Sequence, residues 1–441
     1  GHVGDFQQAE FQQLLLRGLR WATKQEPSPI PKNEQGFWQK KPPATMPGTR
    51  PWQWDGDVAD AMVAGIDRFL LRKIDAAQSE RFEHWQKLWS DDSWTSQLEL
   101  ERYRLSKQLG VQRTDSVTER TVEMRLVASP DASSLIGRTP TYEIHRVTWK
   151  SFADVWSHGL LVRPIGRAPV ANVIAVPDCE VWPEQLIGLN PGVPPLEQYA
   201  RTLAASGCQV LIPLLVNRKE KIQGITNREW LHRSAFVMGR SLQGYEVQEM
   251  LSAIDWFQQT TPQVPVACMG YGEGGLLSMF VGALDERVKV VVVSGAFGSR
   301  QDVWREPLDR NLFGRLQHFG DAELATLIAP RTLIVEAAAG PIGQWHGGRG
   351  APAELKTIPL EQVEAEWGRM NALLTTRIPR TNRLITTDEP HQPGTVAALR
   401  AVFAAIGVAP ETLDESLEQP TWVATERSFA REHEEKVRTL D

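Results

Sequence analysis

The chain has 441 residues, 41% of them hydrophobic, enough for one large domain with appendages or for two domains. Its 48 Lys and Arg against 54 Asp and Glu leave a net charge of −6, and the absence of basic clustering argues against a nucleic-acid partner. No apolar run approaches the ~18 residues that would span a bilayer. Cys179, Cys208 and Cys268 are too few and too scattered for a disulfide framework or a zinc site, so no metal or cofactor is expected. The opening Gly1-His2 resembles a cloning scar and is compatible with a removed export signal, so a soluble, exported protein is one expectation.

Residues 1–115 read as an N-terminal arm and helices that pack on a main domain. Residues 25–58 are rich in Pro, Gly, Gln and Trp and read as an irregular wrap. Asp57 is placed to cap a helix, and Met62, Val63, Ile66, Phe69, Leu70 and Ile74 then share one face at a helical period. Leu98, Leu105 and Leu109 mark another helix, with Gly110 as its stop. The chain holds 16 Trp, and Trp85, Trp89 and Trp94 are among the many in the first hundred positions. They read first as packing residues, since indoles bury large areas, and second as a stacking wall for a sugar ring.

From residue 116 to 410 the texture is that of an α/β domain. "TVEMRLV", "YEIHRVTW" and "VWSHGLLVRP" suggest antiparallel edge strands. "ANVIAVPD", "CQVLIPLLV", "VPVACMGYG", "RVKVVVVSG" and "RTLIVEA" follow as short apolar runs between helical stretches. Runs without polar alternation suit strands covered on both faces, and their alternation with helices predicts a doubly wound, mostly parallel sheet. Residues 411–441 read as a charged peripheral extension.

Val264–Phe280, "VPVACMGYGEGGLLSMF", reads as a buried strand, a glycine-packed turn and a helix. That is the setting of the G-x-S-x-G motif, in which serine sits on a strained strand-to-helix turn. Here Gly270, Tyr271, Glu273 and Gly274 fit the pattern and Gly272 stands at the serine position. Glycine tolerates the turn's positive φ and brings no nucleophile.

With "GYGEGG" in this place and "GLLVRP" ahead of it, residues 121–407 resemble the α/β-hydrolase superfamily, within it the acetyl-xylan-esterase and dienelactone-hydrolase-like branch. The resemblance implies an acid after a late strand, where Glu336 closes "RTLIVEA", and a histidine before the last helix, where His391 stands in "TTDEPHQPG". Asp388 beside His391 is an alternative acid. It also implies an oxyanion hole from the Glu273 N–H and a donor near Asp178 and Cys179. Given such donors, Gly272→Ser would install ester hydrolysis. Trp304, Arg305 and His346 are candidate substrate contacts, the first two on a helical insertion between the last two of these strands.

Three functional expectations follow, each with a small molecule or a glycan as partner. The first is a hydrolase of carbohydrate material related to carbohydrate esterases but lacking the serine. The second is a glycoside hydrolase using Glu273, Glu336 and His391, since paired carboxylates suffice for that chemistry. The third is an inactive binding protein that keeps the pocket.

Overall fold

The computed structural model describes residues 9–23, 48–50, 54–111, 121–128, 133–345, 352–374, 378, 381–386 and 392–423. His346, Asp388 and His391 lie outside these residues, as does most of the expected N-terminal wrap. The chain divides into two compact units, residues 1–70 and 71–441. The first contains the Ala9–Ala22 helix and the start of the Val58–Ser90 helix. Asp57 caps the latter as expected, its Oδ1 accepting the Ala59 N–H at 2.7 Å. The apolar face predicted on its first turns is not covered: Met62, Val63, Ile66, Phe69 and Leu70 are all exposed.

The second unit is built on strands β1 (Met124–Leu126), β2 (Leu135–Arg138), β3 (Tyr142–Phe152), β4 (Val155–Pro164), β5 (Asn172–Val176) and β6 (Gln209–Pro213). A small hairpin of β7 (Glu220–Ile222) and β8 (Ile225–Thr226) follows. Next come β9 (Val266–Tyr271), β10 (Val288–Ser294) and β11 (Thr332–Glu336), then the pair β12 (Gly343–Gln344) and β13 (Glu354–Leu355). β14 (Arg383–Ile385) and β15 (Thr421–Trp422) complete the set. The main sheet runs β14-β11-β10-β9-β5-β6-β4-β3-β2-β15, with β1 on β3. Pairing is parallel from β14 to β6 and antiparallel from β6 to β15, as the apolar runs and the edge-strand patterns predict.

Both faces of the parallel half are covered. Ile174 and Val176 of β5 enter one core with Phe257, Phe280 and Phe319, while Val173 and Ala175 enter the other with Leu203 and Phe403. That double burial is why these strands carry no polar alternation. The Trp94–Leu109 helix ends on Gly110 in the left-handed region at φ 75°, and Leu98, Leu105 and Leu109 join the first core. Trp85 and Trp89 are buried there too, which is the packing role expected of them.

The insertion after β10 is less helical than its sequence suggests. It forms single 3-10 turns at Val303–Arg305 and Leu308–Arg310, then short helices at Arg315–His318 and Asp321–Ile328. Pro307 and Gly314, just ahead of the second 3-10 turn and the first short helix, interrupt it.

Candidate functional site

Parallel register brings the carboxyl ends of four strands together. Val176 pairs with Gly270, Ser294 with Tyr271, and Glu336 with Ser294. Open α/β sheets bind their ligands along this edge. At its centre β9 ends on Tyr271, Gly272 turns at φ 58° and ψ −118°, and the Glu273–Leu284 helix begins at once. A side chain at 272 would be strained by that positive φ. Gly274 is required for a different reason, because a Cβ on it would stand 2.3 Å from the Val176 carbonyl oxygen. Turn and helix are therefore pressed onto the end of β5.

That approach decides what the Glu273 N–H meets. The Asp178 carboxylate, in the loop after β5, accepts it through Oδ2 at 3.0 Å, and Asp178 Oδ1 accepts the Glu180 N–H at 3.1 Å. A Cβ on Gly272 would lie 2.5 Å from the same Oδ2 and 2.9 Å from Pro341 Cγ. The donor expected to face an empty oxyanion position is thus already engaged by a carboxylate. The sequence points to Asp178 and Cys179 as neighbours of this donor but not to the Asp178 side chain as its acceptor. Cys179 points elsewhere, its Sγ accepting from Arg218 Nη1 at 2.7 Å, and burial pushes its thiol up.

The Glu273 side chain is buried in a cluster of charges. Arg218 reaches it at 2.8 Å, Arg228 at 3.3 Å and Arg310 at 3.4 Å, and Gln243 Nε2 donates at 3.0 Å. Asp309 joins Arg218 at 3.1 Å and Arg228 at 2.7 Å, while Glu246 binds Arg228 through both oxygens at 2.8 Å. Burial alone would raise the Glu273 carboxyl, but Arg228, Arg310 and Arg218 outweigh it and hold the group well below the usual carboxylate range. The ring of Trp345 lies 5.3 Å from the Arg218 guanidinium carbon. Sequence reasoning missed Arg218 and Arg228, which stand 55 and 45 positions before Glu273 with no local motif to mark them.

Glu336 is engaged in another way. It ends β11 buried and accepts from Ser294 Oγ, from the Gly394 N–H at 2.9 Å, and from the Thr395 N–H at 2.9 Å and its Oγ1. Thr395 in turn caps the Val396–Ile406 helix. Glu336 therefore pins the start of the last helix three and four residues beyond His391. Among the described residues no hydrogen bond or ion pair joins Glu273 to Glu336. Of the expected substrate contacts, Trp304 is partly exposed with the Arg305 guanidinium 5.5 Å from its ring. Asp309 and Arg310, on the same insertion, are buried in the charge cluster.

Two further titratable groups are shifted by their surroundings. The Tyr271 hydroxyl donates to the Ala339 carbonyl at 3.0 Å, and burial, with the charges of Asp178 and Glu197, pushes its phenol up to about 12. Glu197 is half-buried, and burial raises its carboxyl above the ordinary value. Among the described residues no group of three or more His, Cys, Asp or Glu is arranged to hold a metal ion, and no helix is long and apolar enough to cross a membrane.

Comparison with known proteins agrees with this architecture. The methylesterase BT1017 superposes with a TM-score of 0.50 at 17% identity, covering 78% of this chain and 72% of its own. A Bacteroides fragilis NCTC 9343 protein named as an inferred acetyl xylan esterase gives 0.49 at 12% identity, with coverage of 66% and 75%. In sequence, YtaP of Bacillus subtilis (strain 168), named as an inferred hydrolase, is 28% identical over 109 residues. That match spans 23% of this chain and 36% of YtaP, about a third of the relative's length. No family model matches. The chain has the α/β-hydrolase fold.

Proposed function

We propose that this protein is a hydrolase of carbohydrate material whose reaction does not pass through residue 272, with Asp178 as the carboxylate at the point of reaction. The observation that carries this reading is the position of Asp178 Oδ2, on the Glu273 N–H and in the space a side chain at 272 would need. A carboxylate there sits at a helix N-terminus, where partial positive charge favours it. It lies at the sheet edge where such folds bind ligands.

A carboxylate oxygen can attack an anomeric carbon and form a glycosyl ester as the bond to the leaving oxygen breaks. The leaving oxygen must receive a proton. We assign that role to Glu197, whose carboxyl burial raises above its ordinary value and whose charge, like that of Asp178, acts on Tyr271. Water then cleaves the ester, with His391 as the assisting base and Trp345 as an apolar face for the sugar. In this reading Glu273 and Glu336, each saturated by partners of its own, position the site rather than react.

The test compares wild type with Asp178→Asn on 4-nitrophenyl glycosides and on acetylated and methyl-esterified oligosaccharides. Glycoside cleavage that falls about 10³-fold or more in the variant supports the reading. Cleavage that survives Asp178→Asn refutes it. The same capped donor also favours a second reading, a binding protein that has lost turnover. Oligosaccharide binding without cleavage of any substrate on the panel would establish that one instead.

A further inference from the structure

A cavity of about 520 Å³ lies between the end of the Trp94–Leu109 helix, the Asn227–Val237 helix and the segment after Arg310. Its size is within the ordinary range for small-molecule sites. None of the residues at the sheet edge described above lines it. Its charged lining is of one sign: Arg104, Lys107 and Arg240 contribute to the wall and no Asp or Glu does. Phe236 and Phe313 supply an apolar corner, with ring centroids 6.3 Å apart at 67°. Phe313 is 80% exposed, and Phe236, Val237 and Met238 are exposed as well, a grouping of large apolar side chains that marks binding surfaces more often than a lone one does.

The three cations are not equivalent. Arg104 is largely neutralised by Glu101, at 2.5 and 2.6 Å. Lys107 lies over the Tyr103 ring, 5.0 Å from its centroid, on the solvent side. Arg240 is the held one, its guanidinium carbon 4.7 Å from the Phe152 centroid and 5.2 Å from that of Tyr245. Its backbone is clamped as well, because the next residue, Ser241, donates its N–H to the Leu109 carbonyl at 3.1 Å. A Cβ on Gly110 would come within 2.6 Å of Arg240 Cα, so the two segments are in direct contact. The Arg240 side chain nevertheless has no hydrogen bond or ion pair among the described residues, although the residue helps to line the cavity. A guanidinium held between two rings, with no anionic partner in a wall that has no Asp or Glu, is a preformed donor for an anion.

We infer that this cavity is a second ligand site, separate from the sheet edge, for an organic monoanion with an apolar body. The anionic head accepts from Arg240, and the body packs between Phe236 and Phe313. Stacking pre-orders the guanidinium, so little side-chain entropy is lost when the anion binds. With Arg104 already paired, the wall offers charge for one anion rather than for a polyphosphate.

Isothermal titration calorimetry with 4-phenylbutyrate, its neutral amide 4-phenylbutyramide and the cation 4-phenylbutylamine tests the assignment on the full chain. The carboxylate is expected to bind in the micromolar to millimolar range, about tenfold or more tighter than the amide, with no detectable binding of the amine. Arg240→Gln should abolish the preference for the carboxylate over the amide. Phe313→Ser, at an exposed position that cannot compromise the core, should weaken both ligands by about tenfold. Equal affinity for acid and amide, absence of binding by the acid, or unchanged binding in Phe313→Ser would each overturn the inference.

Discussion

Asp178 and Glu273 meet across the end of the parallel sheet, the carboxylate of one on the backbone N–H of the other at 3.0 Å. Ninety-five positions separate them in sequence. The contact closes the donor on which an esterase of this fold depends, and it occupies the room beside Gly272.

Gly272→Ser is therefore expected to gain no p-nitrophenyl acetate hydrolysis. Its Cβ would enter a positive-φ position 2.5 Å from Asp178 Oδ2 and 2.9 Å from Pro341 Cγ. The strain should cost about 1–3 kcal/mol, read as a lowered thermal midpoint. Gly272→Ser combined with Asp178→Gly clears the donor, and ester turnover is expected only there. Turnover in the single variant would mean that Asp178 moves aside freely.

Glu273→Gln should destabilise the fold by about 3–5 kcal/mol in chemical denaturation, because it removes the charge that compensates Arg218, Arg228 and Arg310 in a buried cluster. A variant as stable as wild type would show that the cluster does not depend on this carboxylate.

The same cluster sets an acid limit. Glu273 and Asp309 are both held below their ordinary values once folded, as their arginine partners outweigh burial. Their contribution is thus complete above the unfolded carboxylate range, about pH 4–4.5, and declines as pH falls below it. Urea midpoints at a series of pH values between about 7 and 3 should show this decline. The slope should be shallower in Glu273→Gln, which has one fewer carboxylate to protonate on unfolding.

Glu336→Gln replaces two accepting oxygens with one and sets an amide donor against hydroxyl and N–H donors. A cost of about 2–3 kcal/mol is expected, with faster hydrogen exchange at the Gly394 and Thr395 amides. Unchanged exchange there would show that Glu336 does not hold the start of the last helix.

The fold was legible because its signals are local. Unbroken apolar runs such as Val290–Val293 require two covered faces, and helical stretches between them require parallel crossovers. The glycines of "GYGEGG" announce a close turn before any neighbour is known, and a strand closing on Glu336 marks a carboxylate at the sheet's edge. The exposed face of the Val58–Ser90 helix shows the limit of this reasoning, since periodicity reports amphipathicity and not what covers it.

Sequence by itself thus determined the long apolar strands, their mostly parallel pairing and the turn at Gly272, all of which follow from local spacing and alternation. Only the tertiary structure decided which charges meet. Arg218 enters from the segment after β6, Arg228 from the Asn227–Val237 helix and Asp309 from the insertion after β10, and the two arginines meet Glu273 and Asp309 because crossovers return each segment to one edge. The same convergence sets Asp178 on the Glu273 N–H. Electrostatic pairing depends on distance in space, and along the chain nothing records it.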